Sequence, residues 1–388
     1  MSGFAVRGWC PSALRPMAAA DGLVVRIRPP FCRITGAQTR ALTEAAERFG
    51  RGWIELTSRA NLQIRGVAEA QHLALLDHLA AVDLIDPDPR QEAARAVMVT
   101  PFHEGGDDTL ALAAKVQDVL QTAPPLPSKF GIAVDCSAGP VLGQAAADIR
   151  LERTATGTLI LRPDGAAQGV AVTAESLPEK LGALIAWFAA SGIREGRGRM
   201  AAHLATGATL PPDLAGDLAP APARPIAVGP IAQGALAGFA FGQIATQDLL
   251  RLAEAKDEIR ITPWRMVYLP KLTAPPEGTE AITGAQDPLL RIHACTGAPD
   301  CPQAEGATRG LARALAPHLP PGATLHVAGC AKGCTHPGPA DFVLTATAEG
   351  FALARAARAG DRPIRSGLRP ETLLDDPSLL LSEATDAP

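Results

Sequence analysis

Several absences narrow this 388-residue chain before any motif is read. It has no apolar run approaching the roughly 18 residues of a membrane-crossing helix, so no transmembrane segment and no membrane partner are expected. Its opening, MSGFAVRGWCPSALRPM, holds no continuous apolar core of the kind that marks a secretory leader. The formal net charge is -4, which gives no general case for nucleic-acid binding. No G-x-G-x-x-G follows a predicted strand, so no dinucleotide-binding domain is expected, and any electrons must come from an external donor. A disulfide framework is missing as well. The cysteine count is odd, at seven, and Cys10, Cys32 and Cys136 are scattered, a usage that fits a reducing cytoplasm.

The remaining four cysteines are concentrated in one stretch. Between Ile292 and Pro337 the chain reads IHACTGAPDCPQAEG, then an amphipathic segment, then LHVAGCAKGCTHP. Cys295 and Cys301 form one spaced pair, Cys330 and Cys334 the other, each bracketed by Gly and Pro. Four thiolates on two tight loops suit an iron–sulfur cluster. Zinc is the competing metal, although structural zinc sites usually place their ligands closer in sequence. Buried free cysteine is the bland reading.

In chain order, Leu23–Arg28 alternates like a strand, with Arg26 and Arg28 on one face. Thr35 and Gln38 make a capping-box pattern that opens a helix with an apolar stripe at Leu42, Ala45, Ala46 and Phe49. Trp53–Thr57 and Asn61–Gly66 are predicted strands, followed by a helix over 68–81. In Asn61–Gly66, Leu62 and Ile64 face one way and Asn61, Gln63 and Arg65 the other. Strands are expected at 96–100, 130–136 and within 149–161, with helices over 110–120 and 178–190. Thr209–Pro230 carries six prolines and reads as a linker. Then the first pattern returns: a strand at Gly238–Ile244, a helix opened by Thr246, and strands at Glu258–Thr262 and Met266–Leu269, with Thr262 where Thr57 stood. That is a twofold duplication. A second linker, Pro270–Gly284, leads to a helix over 305–318, a strand at 324–328 and a hairpin over 342–353; a short helix or a trailing tail follows Asp361. Trp9, Trp53, Trp187 and Trp264 are read as core, Asp21–Gly22 as a turn. His103, His293 and His336 lie near the proposed loops and are read first as structural.

A duplicated α+β unit, two α/β segments and a C-x5-C…C-x3-C site in the second half together resemble the sulfite/nitrite reductase superfamily over nearly the whole chain. The branch most similar is the cobalamin-pathway one, the precorrin-3B synthases. CPSALRPMAAADGLVVRIRP, TSRANLQIRGV, HACTGAPDCPQA and VAGCAKGC carry the likeness. It implies an α+β, pseudo-twofold fold: ferredoxin-like half-domains over 1–90 and 209–284 (the latter with its linker), and α/β domains over 91–208 and 285–388. It implies a [4Fe–4S] cluster on Cys295, Cys301, Cys330 and Cys334, and O2-dependent hydroxylation and lactone formation on precorrin-3A, with reducing equivalents from a reductase or ferredoxin. Oxygen chemistry also leaves room for a mononuclear non-haem iron. Arg26, Arg95 and Lys129 match the substrate-anion site of the reductases. Arg59, Asn61 and Gln63 are placed to hold the acid arms of a tetrapyrrole, since arginine forks carboxylates.

The chain departs from the reductases where it has Gly131 for a lysine, Ser128 for an arginine and Glu55 for another arginine of the sirohaem cradle. Losing three cations weakens anion reduction and sirohaem binding together. A small sirohaem-dependent reductase, with Cys334 bridging to the haem iron, and a non-catalytic electron-transfer protein are the alternatives.

Overall fold

The computed structural model describes residues 11–137, 139–255 and 257–381. In the first half β1 (Met17–Ala19), β2 (Gly22–Ile27), β3 (Arg33–Thr35), helix α1 (Gly36–Phe49), β4 (Trp53–Leu56), β5 (Leu62–Val67) and α2 (His72–Ala80) follow in order. The α1 start is a complete capping box: Thr35 Oγ1 accepts from the Gln38 N–H, and the Gln38 side chain accepts from the Thr35 N–H. Val25, Ile27, Leu62 and Ile64 point into the core, which leaves Arg26, Gln63 and Arg65 on the opposite face.

A second segment runs α3 (Pro89–Ala94), β6 (Val97–Val99), α4 (Thr109–Thr122), β7 (Ile132–Asp135), β8 (Ile149–Arg153), β9 (Leu159–Pro163), β10 (Val170–Ala171), α5 (Leu177–Ser191) and α6 (Met200–Ala205). The repeat follows as β11 (Gly229–Ile231), β12 (Gly234–Gly238), β13 (Gln243–Ala245), α7 (Thr246–Ala255), β14 (Glu258–Ile261) and β15 (Met266–Pro270). The last segment is β16 (Ile292–Ala294), α8 (Arg309–Leu315), β17 (Leu325–Ala328), β18 (Ala340–Thr347), β19 (Gly350–Ala357), β20 (Arg365–Leu368) and α9 (Pro370–Asp375).

These strands make four five-stranded sheets in two matching pairs. One pair has the orders β1-β2-β5-β4-β13 and β11-β12-β15-β14-β3. Each sheet takes its last strand from the other half: β13 pairs with β4, and β3 with β14. The exchange locks the halves together, and α1 packs on α7 over a shared core containing Ile34, Leu42, Ile244, Leu249 and Ile259. The crossing strand is launched the same way twice, by Phe31 at φ 52° and Phe241 at φ 59°. The other pair has the orders β10-β9-β8-β7-β6 and β16-β17-β18-β19-β20, each with three parallel strands and then two antiparallel ones.

Two expected elements differ. The strand expected at Gly238–Ile244 is broken by a 3-10 turn at Ala240–Gly242, because the chain must leave one sheet there and enter the other. The helix expected over 305–318 begins only at Arg309, because Glu305 donates its N–H to the Gly329 carbonyl and Thr308 is held on Cys295. The proline-rich stretch 209–230 is not loose: Gly169 bridges Leu218, and the Arg224 N–H donates to Pro140. The tail forms β20, α9 and a further turn. Trp9 and Cys10 lie outside the described residues. No helix among the described residues is long and apolar enough to cross a membrane.

Candidate functional site

β16 and β17 are parallel neighbours, so their C-terminal ends open side by side, the position where open α/β sheets place ligands. Cys295 follows β16 directly and Cys330 lies just beyond β17. The Gly329 N–H donates to Cys295 Sγ at 3.2 Å and joins the two loops. A Cβ at 329 would stand 2.8 Å from the Ala304 Cβ and 3.3 Å from that sulfur, so glycine is what lets the loops close. Gly297 turns the first loop at φ +73°, and a side chain there would strike Thr308. Thr308 donates to the Cys295 carbonyl, and the Cys301 N–H to the Gly297 carbonyl.

Cys295, Cys301, Cys330 and Cys334 are all free thiols. Burial raises the pKa of Cys334, and Cys295 and Cys330 raise it further. Charge on Cys295 or Cys330 thus disfavours charge on Cys334. Four thiols on facing loops, with a backbone N–H already directed at sulfur, fit the donor set of a [4Fe–4S] cluster. Among the described residues no three His, Cys, Asp or Glu converge as ligands for a single ion.

A separate pocket is lined by Arg26, Arg28, Arg59 and Asn61 from the first half and by Ser128, Phe130 and Gly131 ahead of β7. The turn between β4 and β5 presents Arg59 and Asn61: their N–H groups both donate to Thr57 Oγ1, at 3.4 and 3.1 Å, and Ala60 sits at φ 52° between them. The Arg26 Nε–H is buried with no acceptor among the described residues. A Cβ at 131 would lie 3.5 Å from Arg59 Nη1, in ordinary contact with the guanidinium. Arg28, Ser128 and Phe130 also border an adjoining groove whose apolar wall includes Leu120, Leu126 and Pro127.

Pocket and cysteine loops are joined by one row across the sheet. Arg26, Gln63, Glu55 and Gln243 are direct cross-strand partners on β2, β5, β4 and β13. Arg26 Nη2 donates to Gln63 Oε1 at 3.2 Å, and Gln63 Nε2 to Glu55 at 2.9 Å. The other Glu55 oxygen accepts from Arg309 Nη2 at 2.7 Å. With its amide turned to suit its neighbours, Gln243 accepts from Arg309 and from Trp53. A second tie runs nearby. Arg65 forks the Asp21 carboxylate and reaches the Asp300 carbonyl at 3.2 Å, while Arg51 pairs with the Asp300 side chain.

Arg26, Arg59 and Asn61 are thus brought together, and Arg28 joins them. Gln63 is not in the pocket wall; it holds Arg26 from behind. Arg95 is turned elsewhere, because the acidic segment before α3 captures it: it donates to the Asp83 carbonyl at 3.0 Å and pairs with the Asp83 and Asp86 carboxylates. Lys129 is exposed and outside the lining, since Phe130 takes the buried position. Arg65, expected on the polar face of its strand, and Asp21, expected in a turn, form a buried ion pair. Trp53, Trp187 and Trp264 are half-buried, and Cys32 and Cys136 are buried thiols whose pKa burial raises, Cys32 to about 11.

Next to the cysteine loops, His293 stacks on His336 with ring centroids 4.1 Å apart, and His326 meets His336 edge-on at 5.7 Å. Burial lowers His293 to about 3 and His326 to about 4. His103 is lowered to about 4 by burial and then by Arg260, in a different part of the molecule. Sequence reasoning missed His326, hidden in an apolar run, and missed Glu55 and Arg309 as partners. The available signal was Glu55 itself, since a carboxylate between Ile54 and Leu56 in a strand has to find a cation when buried.

Residues 15–82 match the model of the nitrite/sulfite reductase ferredoxin-like half domain. A precorrin-3B synthase from a Sinorhizobium species is 30% identical over 89% of this chain and 82% of its own length. The NirA protein of Mycobacterium tuberculosis shares the fold with a TM-score of 0.62 over 94% of this chain and 82% of that one, at 16% identity. The duplicated α+β architecture expected from the sequence is therefore that of the reductase superfamily. On these grounds the chain belongs to the precorrin-3B synthase family, an oxidoreductase lineage of the sulfite/nitrite reductase superfamily.

Proposed function

We propose that this protein is an O2-dependent monooxygenase that converts precorrin-3A to precorrin-3B in aerobic cobalamin synthesis. The observation that carries the reading is the pocket where Arg26, Arg28, Arg59 and Asn61 converge with an unanswered donor, the Arg26 Nε–H. Guanidinium groups grip carboxylates through paired, charge-assisted hydrogen bonds. An apolar groove continues from the same wall. A polar fork beside an apolar face suits a flat pyrrole-derived ring edged with acetate and propionate arms.

In the reaction one atom of dioxygen enters the macrocycle and the other leaves as water, with two electrons and two protons supplied by the donor. An acetate arm then closes into a lactone. This chain's part is to fix the arms: a carboxylate held between guanidiniums loses the freedom that would otherwise oppose ring closure. Cys295, Cys301, Cys330 and Cys334 would hold the [4Fe–4S] cluster. When bound, that group passes single electrons from an external reductase or ferredoxin. Its thiolates, and the free cysteines elsewhere, suit a reducing compartment such as the cytoplasm. Ser128 and Gly131 line the pocket where the reductases carry cations, which weighs against sulfite or nitrite as substrate.

The test is anaerobic purification followed by iron and sulfide analysis, an absorption spectrum, and incubation with precorrin-3A and a reduced external electron donor, with and without dioxygen. The expected result is a cluster spectrum without a haem band, and loss of precorrin-3A only when dioxygen is admitted. A sirohaem band, or no oxygen-dependent turnover, rejects the reading.

A further inference from the structure

We propose that Glu55 is a positioning residue that couples the arginine pocket to the first cysteine loop, so that an acid arm bound at Arg26 changes the loop carrying Cys295. The inference rests on the proposed tetrapyrrole site and adds to it a route between that site and the cysteines. Glu55 is only 7% exposed, and its two oxygens face different parts of the molecule. One accepts from Gln63, which accepts from Arg26; the other accepts from Arg309, the first residue of α8. The residue before it, Thr308, bonds the Cys295 carbonyl. Four hydrogen bonds made by side chains and one peptide link therefore connect the pocket to Cys295.

The fold itself does not ask for a carboxylate at this place. In the paired sheet the matching row is Leu236, Tyr268, Arg260 and Arg33. Arg260 stands where Glu55 does and donates instead to the Pro101 and His103 carbonyls. Only the row containing Glu55 has a polar group at every position. Its pocket end, Arg26, has one N–H committed to Gln63 and one, Nε, without an acceptor. A carboxylate arriving at Arg26 must share the guanidinium with Gln63, and the shift is felt by the Glu55 oxygen that Gln63 touches. Neighbours in one hydrogen-bonded network are energetically coupled in this way.

The experiment uses the full chain, purified anaerobically with its iron and sulfide. Precorrin-3A is added under nitrogen, so that it binds without turnover. Affinity is read by titration, and amide hydrogen exchange of the segment 295–310 is read by mass spectrometry with and without the ligand. In the unaltered protein, ligand slows exchange in that segment. Glu55→Gln should weaken binding roughly three- to tenfold and abolish the ligand-induced slowing. Arg309→Gln should do the same, although Arg309 is outside the pocket wall; it decides the matter if Glu55→Gln does not fold. Coupling requires both responses to be lost together, so a folded variant that keeps either one overturns it. Arg59→Ala separates the two levels. If Arg59→Ala binds normally, the pocket itself has been misassigned; if it binds weakly while Arg309→Gln behaves like the parent, only the coupling has failed.

Discussion

The turn between β4 and β5 and the turn between β14 and β15 are the same piece of backbone used twice. Thr57 and Thr262 each accept an N–H from two residues ahead, and Ala60 and Arg265 each take a positive φ, 52° and 61°. The side chains then part company. The first turn presents Arg59 and Asn61 to the pocket. The second puts Trp264 against the shared core and Met266 against the core of the cysteine domain, while the half-buried Arg265 donates to the Ile292 and Leu290 carbonyls. The α/β sheets show the reverse bias. Cysteines cap β16 and β17, whereas β7 ends in Asp135, which accepts from the Val141 and Leu142 N–H groups, and in a buried Cys136. Duplication thus provided two equivalent frames with different side chains at matching places: arginines line a pocket on the first, cysteines follow the strands of the second.

The largest expected effect tests the sulfur half. Cys334→Ser should abolish bound iron and sulfide, because a cluster needs all four thiolates. Cys136→Ser, on the equivalent sheet, should leave iron content at the level of the parent. Equal losses in both variants would mean that the frames have not divided the work. Next comes the arginine half. Arg59→Ala should weaken precorrin-3A binding on the order of 10- to 100-fold, the worth of about 1.5–3 kcal/mol for hydrogen bonds to a charged group, with the cluster spectrum intact. Its counterpart Trp264→Ala should do the opposite: unaltered binding, and a stability loss of about 1–2 kcal/mol in denaturant titration, less than for a fully buried Trp because Trp264 is only half-buried. A colourless Arg59→Ala protein would show that Arg59 holds the fold and not the ligand.

How far the sequence alone could reach differs between these features for physical reasons. The Thr35–Gln38 capping box, the Thr57 and Thr262 turns and the paired cysteine loops are local patterns, and the structure keeps them. The exchange of β3 and β13 is not local. Each is three residues long, too short for alternation to register, and its partner lies in the other half of the chain. The late start of α8 is a tertiary override, since Thr308 serves the Cys295 loop instead of the helix. Arg95 and Arg59 look alike in sequence. The nearby acid pair Asp83 and Asp86 turns Arg95 away from the pocket that Arg59 lines.

The smallest expected effect concerns the row that lacks the polar relay. Where Glu55 reaches Arg309, Arg260 reaches the loop around His103, and burial together with that guanidinium holds His103 to about 4. An unfolded chain binds a proton at histidine near pH 6.5, as model imidazoles do. Between about pH 6.5 and 4 the unfolded state therefore takes up a proton that the folded state refuses, and stability falls as acid is added. Between pH 7 and pH 5 this one residue should account for a loss on the order of 1–2 kcal/mol. His103→Gln removes the titrating group, so urea unfolding at pH 7 and pH 5 should show a smaller drop than in the parent. Arg260→Gln should reduce the drop in part, because it removes the second cause and leaves burial. If all three proteins lose stability in parallel, His103 is protonated or hydrated in the folded protein, and the Arg260 row is as polar in practice as the one built on Glu55.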